Sequence, residues 1–301
     1  MYNTHANMEK HAYLIMAHAS FGLLGKLLEA LDDERNDIFV HIDARSGDIP
    51  YAQLHCEHAG LYFTDRIPTH WGGPSQIWAE LILLETALAN GHHSYYHLLS
   101  GVDLPIKSQD YIHDFFERNA GKELVSFWKL KKSTPSRFVY VPFSEYGRNF
   151  LANLANCIFK GVQTAFKFGH CRDVDYRYGA NWFSITEALA GYVVERKEWI
   201  RKVFDHRCNC DEIFLQTLVW NSPFFEKCWR PGEEFAGMAE DLGNLRLTDW
   251  TRGPSVRHPW VFEDGDYEML TNSSCLFARK FSQGSGIVDR ILEYTKQEKV
   301  K

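Results

Sequence analysis

The sequence lacks the marks of several broad protein classes. No apolar run approaches the ~18–20 residues that a membrane-crossing helix needs, so no span is expected. Residues 1–10 are polar and hold no apolar core of a secretion signal. Positive charge is scarce: 33 Lys and Arg stand against 39 Asp and Glu, a net of −6. That balance argues against nucleic-acid binding through bulk charge. There is no Gly-x-Gly-x-x-Gly after the first expected strand and no phosphate loop, which leaves both default nucleotide-binding folds unsupported. There is no Gly-x-Ser-x-Gly elbow; Gly284-Ser285-Gly286 has neither the spacing nor the preceding strand. The seven cysteines are odd in number and scattered, and without a secretion signal reduced thiols in the cytosol are expected. Cys208-x-Cys210 with His206 has no second pair at zinc spacing. Asp173-Val174-Asp175 has the form of a metal–diphosphate clamp but falls in an irregular stretch, so it reads as solvated surface charge.

What is present is a globular composition, 45% apolar and 15% aromatic over 301 residues. Apolar runs over 13–18, 37–43, 61–63 and 95–100 read as buried strands. Helical periodicity appears at 23–31, 75–89 and 108–117. A strand is expected at 123–128, another at 180–186, a helix at 187–203, and strands at 244–250 and 274–281. The tail, 286–296, reads as a helix. Strand–helix alternation of this kind implies an α/β fold, a mostly parallel sheet flanked by helices, with a ligand site at the carboxyl edge of the strands. His18, Asp43 and Asp103 all fall at that edge. The alternation breaks down across 129–178, a basic and aromatic stretch. It reads as an insertion in an otherwise single domain spanning 1–301, with one amphipathic helix over 150–168. Contact with a membrane surface is a weaker reading of it.

The stretch Cys208-Asn209-Cys210-Asp211-Glu212-Ile213-Phe214 reads as the start of an amphipathic helix with both carboxylates in its first turn. A stiff, half-buried carboxylate suits a general base; capping is the plainer role. Arg257 and Lys280 lie in loop-flanked segments of the last third. An Arg fork and a Lys point charge together can neutralise a diphosphate leaving group without a metal. Trp71, in the turn Trp71-Gly72-Gly73-Pro74-Ser75, and Trp250, at a strand end, are placed to stack on sugar rings or to pack in the core.

These pieces resemble a known family. Ala12-Tyr13-Leu14-Ile15-Met16-Ala17-His18, Val40-His41-Ile42-Asp43, Trp71-Gly72-Gly73-Pro74-Ser75, Ser100-Gly101-Val102-Asp103-Leu104-Pro105-Ile106-Lys107, Gly179-Ala180-Asn181-Trp182-Phe183, Cys210-Asp211-Glu212, Leu247-Thr248-Asp249-Trp250 and Leu276-Phe277-Ala278-Arg279-Lys280-Phe281 run in the order found in the core-2/I-branching β-1,6-N-acetylglucosaminyltransferases, a family that includes peptide O-xylosyltransferases. The resemblance implies a GT-A-type, Rossmann-like fold and an inverting, single-displacement transfer from a UDP-sugar with no metal and no other cofactor. It implies Glu212 as the catalytic base. It implies that Asp43 contacts uridine; His18 and Asp103, at the same strand edge, are expected beside it on the donor side. Arg257 and Lys280, twenty-three residues apart, would hold the diphosphate. Trp71 and Trp250 would line the acceptor site.

The chain departs from the animal members in lacking their anchor and their many disulfide-forming cysteines. It looks like a compact bacterial relative working in the cytoplasm or at the inner face of the membrane. The expected partners are a UDP-sugar and a glycan or glycolipid acceptor, in surface polysaccharide biosynthesis. A non-catalytic carbohydrate-binding or scaffold protein with a degenerate transferase fold is the alternative. The sequence leaves the donor sugar, the linkage and the oligomeric state open.

Overall fold

The computed structural model describes residues 9–129, 139–146, 149–166, 174–230, 234–235, 240–252 and 258–298. The chain runs β1 (His11–Ala17), α1 (Phe21–Leu31), β2 (Asn36–Ile42), β3 (Gly60–Phe63), α2 (Ser75–Ala89), β4 (Tyr95–Ser100), β5 (Leu104–Pro105), α3 (Gln109–Arg118) and β6 (Phe127–Trp128). It continues through α4 (Phe150–Phe166), β7 (Ser184–Thr186), α5 (Glu187–Glu195), α6 (Lys197–Phe204), α7 (Phe214–Trp220), β8 (Glu234–Phe235) and β9 (Glu240–Asp241). It ends with β10 (Arg246–Thr248), α8 (Tyr267–Asn272), β11 (Phe277–Arg279) and α9 (Gly286–Gln297).

The larger sheet has the order β3-β2-β1-β4-β7, parallel except for the edge strand β7. β1 lies at its centre, in register from His11 opposite Asn36 to Ala17 opposite Ile42. A strand covered on both faces should be apolar at nearly every position. β1 obeys this, and its alternate side chains enter two cores. Tyr13, Ile15 and Ala17 pack with α1, α3 and α9; Ala12 and Leu14 pack with α2, α5, α6 and α7. The α/β class and the parallel-rich sheet with flanking helices are therefore as expected. A second sheet, β5-β11-β10-β9, stands beside the first, and β6 pairs with β8.

Several boundaries differ from the sequence expectation. The stretch 123–128 forms regular pairing only at β6, because its partners change along its length: Glu123 bridges Cys228, Leu124 bridges Ser184, and β6 pairs with β8. The helix expected over 187–203 is two helices that turn at Arg196, which lets Ile200, Val203 and Phe204 of α6 be buried. α3 and α5 begin with side-chain caps, Ser108 accepting from Tyr111 N–H and Thr186 from Leu189 N–H. No helix among the described residues is long and apolar enough to cross a membrane.

Candidate active site

Three strands of the larger sheet end side by side. β1 runs into His18, β2 into Asp43, and β4 into the turn that bears Asp103. The Asp43 N–H donates to the Ala17 carbonyl (2.9 Å) and the Gly101 N–H to the Met16 carbonyl (2.9 Å), which fastens the three ends together. His18 is exposed, and its carbonyl accepts from the Ser46 hydroxyl (2.8 Å). Asp43 is buried. Its Oδ1 accepts the N–H groups of Arg45 (2.9 Å) and Thr69 (3.2 Å), and Arg45 donates to its Oδ2 (2.7 Å). Burial pushes this carboxyl up, but the hydrogen bonds from Arg45 and Thr69 together outweigh it and hold it below the ordinary aspartate value.

Thr69 leads into the turn that carries Trp71, whose side chain is 64% exposed. Gly72 there has φ +75°, in the left-handed region that glycine adopts without strain. Its carbonyl accepts the Asn209 N–H (2.8 Å), and a Cβ on it would stand 2.7 Å from the Asn209 amide oxygen. On the other side Glu145 accepts both the N–H (2.8 Å) and the hydroxyl (2.7 Å) of Ser75. The Trp71 turn is thus bonded directly to the loop that carries Asp211 and Glu212.

Those two carboxylates are not in a helical first turn. α7 begins at Phe214, and residues 211–213 form the turn before it, closed by the Cys210 carbonyl accepting from Ile213 (3.0 Å) and Phe214 (2.9 Å). The Glu212 carbonyl is taken by the Gly179 N–H (3.0 Å), a bond from a distant segment that competes with helical pairing. Nor is α7 one-sided: all but its last residue are buried. Glu212 itself is half-buried.

Gly179 opens an extended strap over 179–183. Its Ala180 carbonyl accepts from Gln216 Nε2 (2.7 Å). At its far end the Trp182 ring lies 4.2 Å from the Arg279 guanidinium. Arg279 Nε donates to Asp103 Oδ1 (3.1 Å), and Asp103, buried, also accepts the N–H (2.8 Å) and hydroxyl (2.5 Å) of Ser100. Lys280 follows. Burial pushes its ammonium down and the neighbouring Arg279 charge adds to this, against the opposing pull of Asp103. An incoming anion would relieve that repulsion. β10 runs parallel to β11 with Thr248 opposite Arg279, so Trp250 follows β10 on the same side as Lys280. Trp260 joins them: its N–H donates to the Asp249 carbonyl (2.7 Å) and its carbonyl accepts from Lys280 N–H (3.4 Å). Arg257 lies outside the described residues.

The contacts close into a ring around the sheet edge: Asp43, the Trp71 turn, the Glu212 turn, the strap, Arg279, Asp103, and back through Gly101 and the end of β1 to Asp43. Sequence reasoning missed Arg279 as an Asp103 partner, Asn209 as the link to Gly72, and Glu80. Arg279 had no separate signal beside Lys280. Asn209 has φ 50°, a conformation asparagine tolerates better than most residues. Glu80 was legible as an acid set among the apolar residues of α2. It is fully buried; burial first and the Asp211 charge second raise its carboxyl well above the ordinary glutamate value, against the opposing influence of the nearby Asn181 amide.

Among the described residues no group of three or more His, Cys, Asp or Glu could hold a metal ion. Cys210 is fully buried, its thiol donates to the Arg207 carbonyl (3.6 Å), and burial raises it well above the ordinary value. Asp173 lies outside the described residues; Asp175 is not simply solvated charge, since it pairs with Arg177 and accepts from Trp220 Nε1 (3.0 Å).

Residues 11–273 match the Core-2/I-Branching enzyme family. Xylosyltransferase 2 of Canis lupus familiaris is 24% identical over 307 residues, covering 94% of this chain and 33% of the relative. An N-acetyllactosaminide β-1,6-N-acetylglucosaminyl-transferase of Mus musculus is 22% identical, covering 90% and 68%. The chain thus spans about a third of the xylosyltransferase's length. The solved structure of apo mouse xyloside xylosyltransferase 1 overlaps 90% of this chain and 97% of its own at a TM-score of 0.37 and 9% identity. With the matched region running from the first residue of β1 into the segment before β11, the chain belongs to the Core-2/I-Branching enzyme family.

Proposed function

We propose that the chain is a glycosyltransferase that moves a sugar, N-acetylglucosamine or xylose, from a UDP-sugar to a hydroxyl of a glycan acceptor. The transfer is an inverting single displacement. The Glu212 carboxylate takes the acceptor hydroxyl proton as the oxygen attacks the anomeric carbon, and UDP leaves from the opposite face. Lys280, with Arg257 as the family resemblance assigns it, carries the charge that builds on the diphosphate. Two such cations would take over the charge-neutralising role of a divalent metal. Asp43 and His18 serve the uridine side, and Trp71 and Trp250 the acceptor side. Surface polysaccharide biosynthesis is the setting this reading fits.

The observation that supports it is the closed ring of contacts. It ties the Glu212 turn to Arg279, next to Lys280, through one short strap and to Asp43 through the Trp71 turn. The segments that carry Glu212, Lys280 and Asp43 are thereby joined by contacts, which supports reading them as parts of one displacement site.

The test is a pair of variants read by UDP-sugar turnover and by UDP affinity. Glu212→Gln should lower turnover by about 10²–10⁴-fold, the usual worth of a general base, with UDP affinity unchanged. Lys280→Ala should weaken UDP. Undiminished turnover in Glu212→Gln would overturn the assignment, and equal loss of turnover and UDP affinity would make Glu212 a structural residue. Activity should persist in EDTA; strict dependence on manganese would sink the metal-free mechanism. UDP binding with no transfer to any acceptor and no donor hydrolysis would leave a sugar-nucleotide-binding protein.

A further inference from the structure

α4 is packed inside out. Among its described side chains the buried ones are polar, Asn156 and Gln163, seven residues apart on one face. Each amide makes a two-way bond with the backbone of the preceding segment. Phe143 N–H donates to Asn156 Oδ1 (3.1 Å) and Asn156 Nδ2 donates to the Phe143 carbonyl (3.0 Å). Tyr140 N–H donates to Gln163 Oε1 (3.1 Å) and Gln163 Nε2 to the Tyr140 carbonyl (2.7 Å). The polar stripe is therefore the attachment. Leu151, Leu154, Ile158, Val162 and Phe166 recur every three or four residues on the other side and are exposed, Ile158 by 58% and Phe166 by 75%. Phe150, at the helix start, is 80% exposed.

A helix in water presents the opposite arrangement. A contiguous apolar stripe of this size marks a surface that something else covers. Charge identifies the cover. α4 contains no Asp or Glu, and the sequence 129–178 carries nine Lys and Arg against three Asp and Glu, in a chain whose total is −6. An apolar stripe set in a locally basic segment is the pattern of a helix lying in the plane of an anionic bilayer, with aliphatic and aromatic side chains at the acyl boundary and cations at the headgroups. We propose that α4 docks the protein on an anionic phospholipid surface. Glu145, two hydrogen bonds from Ser75 at the Trp71 turn, ties this anchoring region to the acceptor side of the candidate site. Docking is independent of the donor chemistry and can be read without activity.

The test is co-sedimentation of the full chain with vesicles of phosphatidylcholine plus phosphatidylglycerol and with vesicles of phosphatidylcholine alone. The wild type should bind the former far better than the latter, and raised salt should weaken binding. Leu154→Gln/Ile158→Gln should weaken it by about tenfold or more, since each change removes an apolar contact with lipid. Both positions are exposed, so the variant should melt with the wild type. If it does not, Leu151→Gln/Phe166→Gln carries the same comparison. Failure of the wild type to bind anionic vesicles, or binding that both variants leave unchanged, would overturn the proposal. So would concentration-dependent self-association of the wild type that the substitutions abolish, which would assign the stripe to a second copy of the chain.

Discussion

Glu80 is a carboxylic acid with no exposure to water. It sits on α2 against Asp211 and Asn181, fully buried, and burial together with the Asp211 charge raises its carboxyl well above the ordinary glutamate value. The consequence for stability has a definite sign. Its folded-state pKa is raised, so its contribution is fully present below the ordinary glutamate value and is lost as pH rises through the raised one, because folding must then take up a proton. Glu80→Gln removes that proton uptake and keeps the shape. The melting temperature of Glu80→Gln relative to wild type should therefore rise as pH is raised above the ordinary glutamate value. A difference that stays flat with pH would show that the site binds no proton on folding. The same residue argument explains why Asp211 is coupled to the core, whereas its neighbour Glu212 is half-buried.

At the scale of elements, the strap over 179–183 decides the site. It is not a regular strand before β7, yet it touches β6, α7 and β11 in turn: Trp128 N–H donates to the Tyr178 carbonyl just ahead of it (2.7 Å), Gln216 to Ala180, and Arg279 stacks on Trp182. Its glycine is required by space. A Cβ on Gly179 would stand 1.9 Å from the Ser126 carbonyl oxygen, a backbone atom that cannot swing away. Gly179→Ala should destabilise the fold by about 1–3 kcal/mol, the usual cost of overpacking, and lower kcat/KM by shifting the Glu212 turn. Chemical denaturation and steady-state kinetics check it; a variant with wild-type stability would mean that the strap has slack.

For the whole molecule, the central strand couples two cores. β1 sends Tyr13 and Ile15 to one and Leu14 to the other, all fully buried. A large-to-small change on either face should loosen both. Leu14→Ala should cost about 2–5 kcal/mol and lower a single cooperative transition. Far-ultraviolet and near-ultraviolet circular dichroism should then move together on heating; two separated transitions would show that the cores melt independently.

The sequence by itself determined what local physics controls. The apolar runs of β1, β2 and β4, the periodicity of α1, α2 and α3, and the polar residues His18, Asp43 and Asp103 at strand ends were legible because side-chain period and strand termination are local properties. The periodicity of α4 was legible too, but not which stripe faces the body: the Asn156 and Gln163 amides are held by backbone groups at Phe143 and Tyr140 that no spacing rule names. Only the tertiary structure decided how the site closes. The bonds Asn209 to Gly72, Gly179 to Glu212 and Arg279 to Asp103 each join segments far apart in the chain. The second displaced the expected helix start from Asp211 to Phe214, since a backbone carbonyl satisfied by a distant partner no longer serves the helix. Long-range hydrogen bonds of this kind are specified by the packing of two cores, and no window of the sequence contains both of their ends.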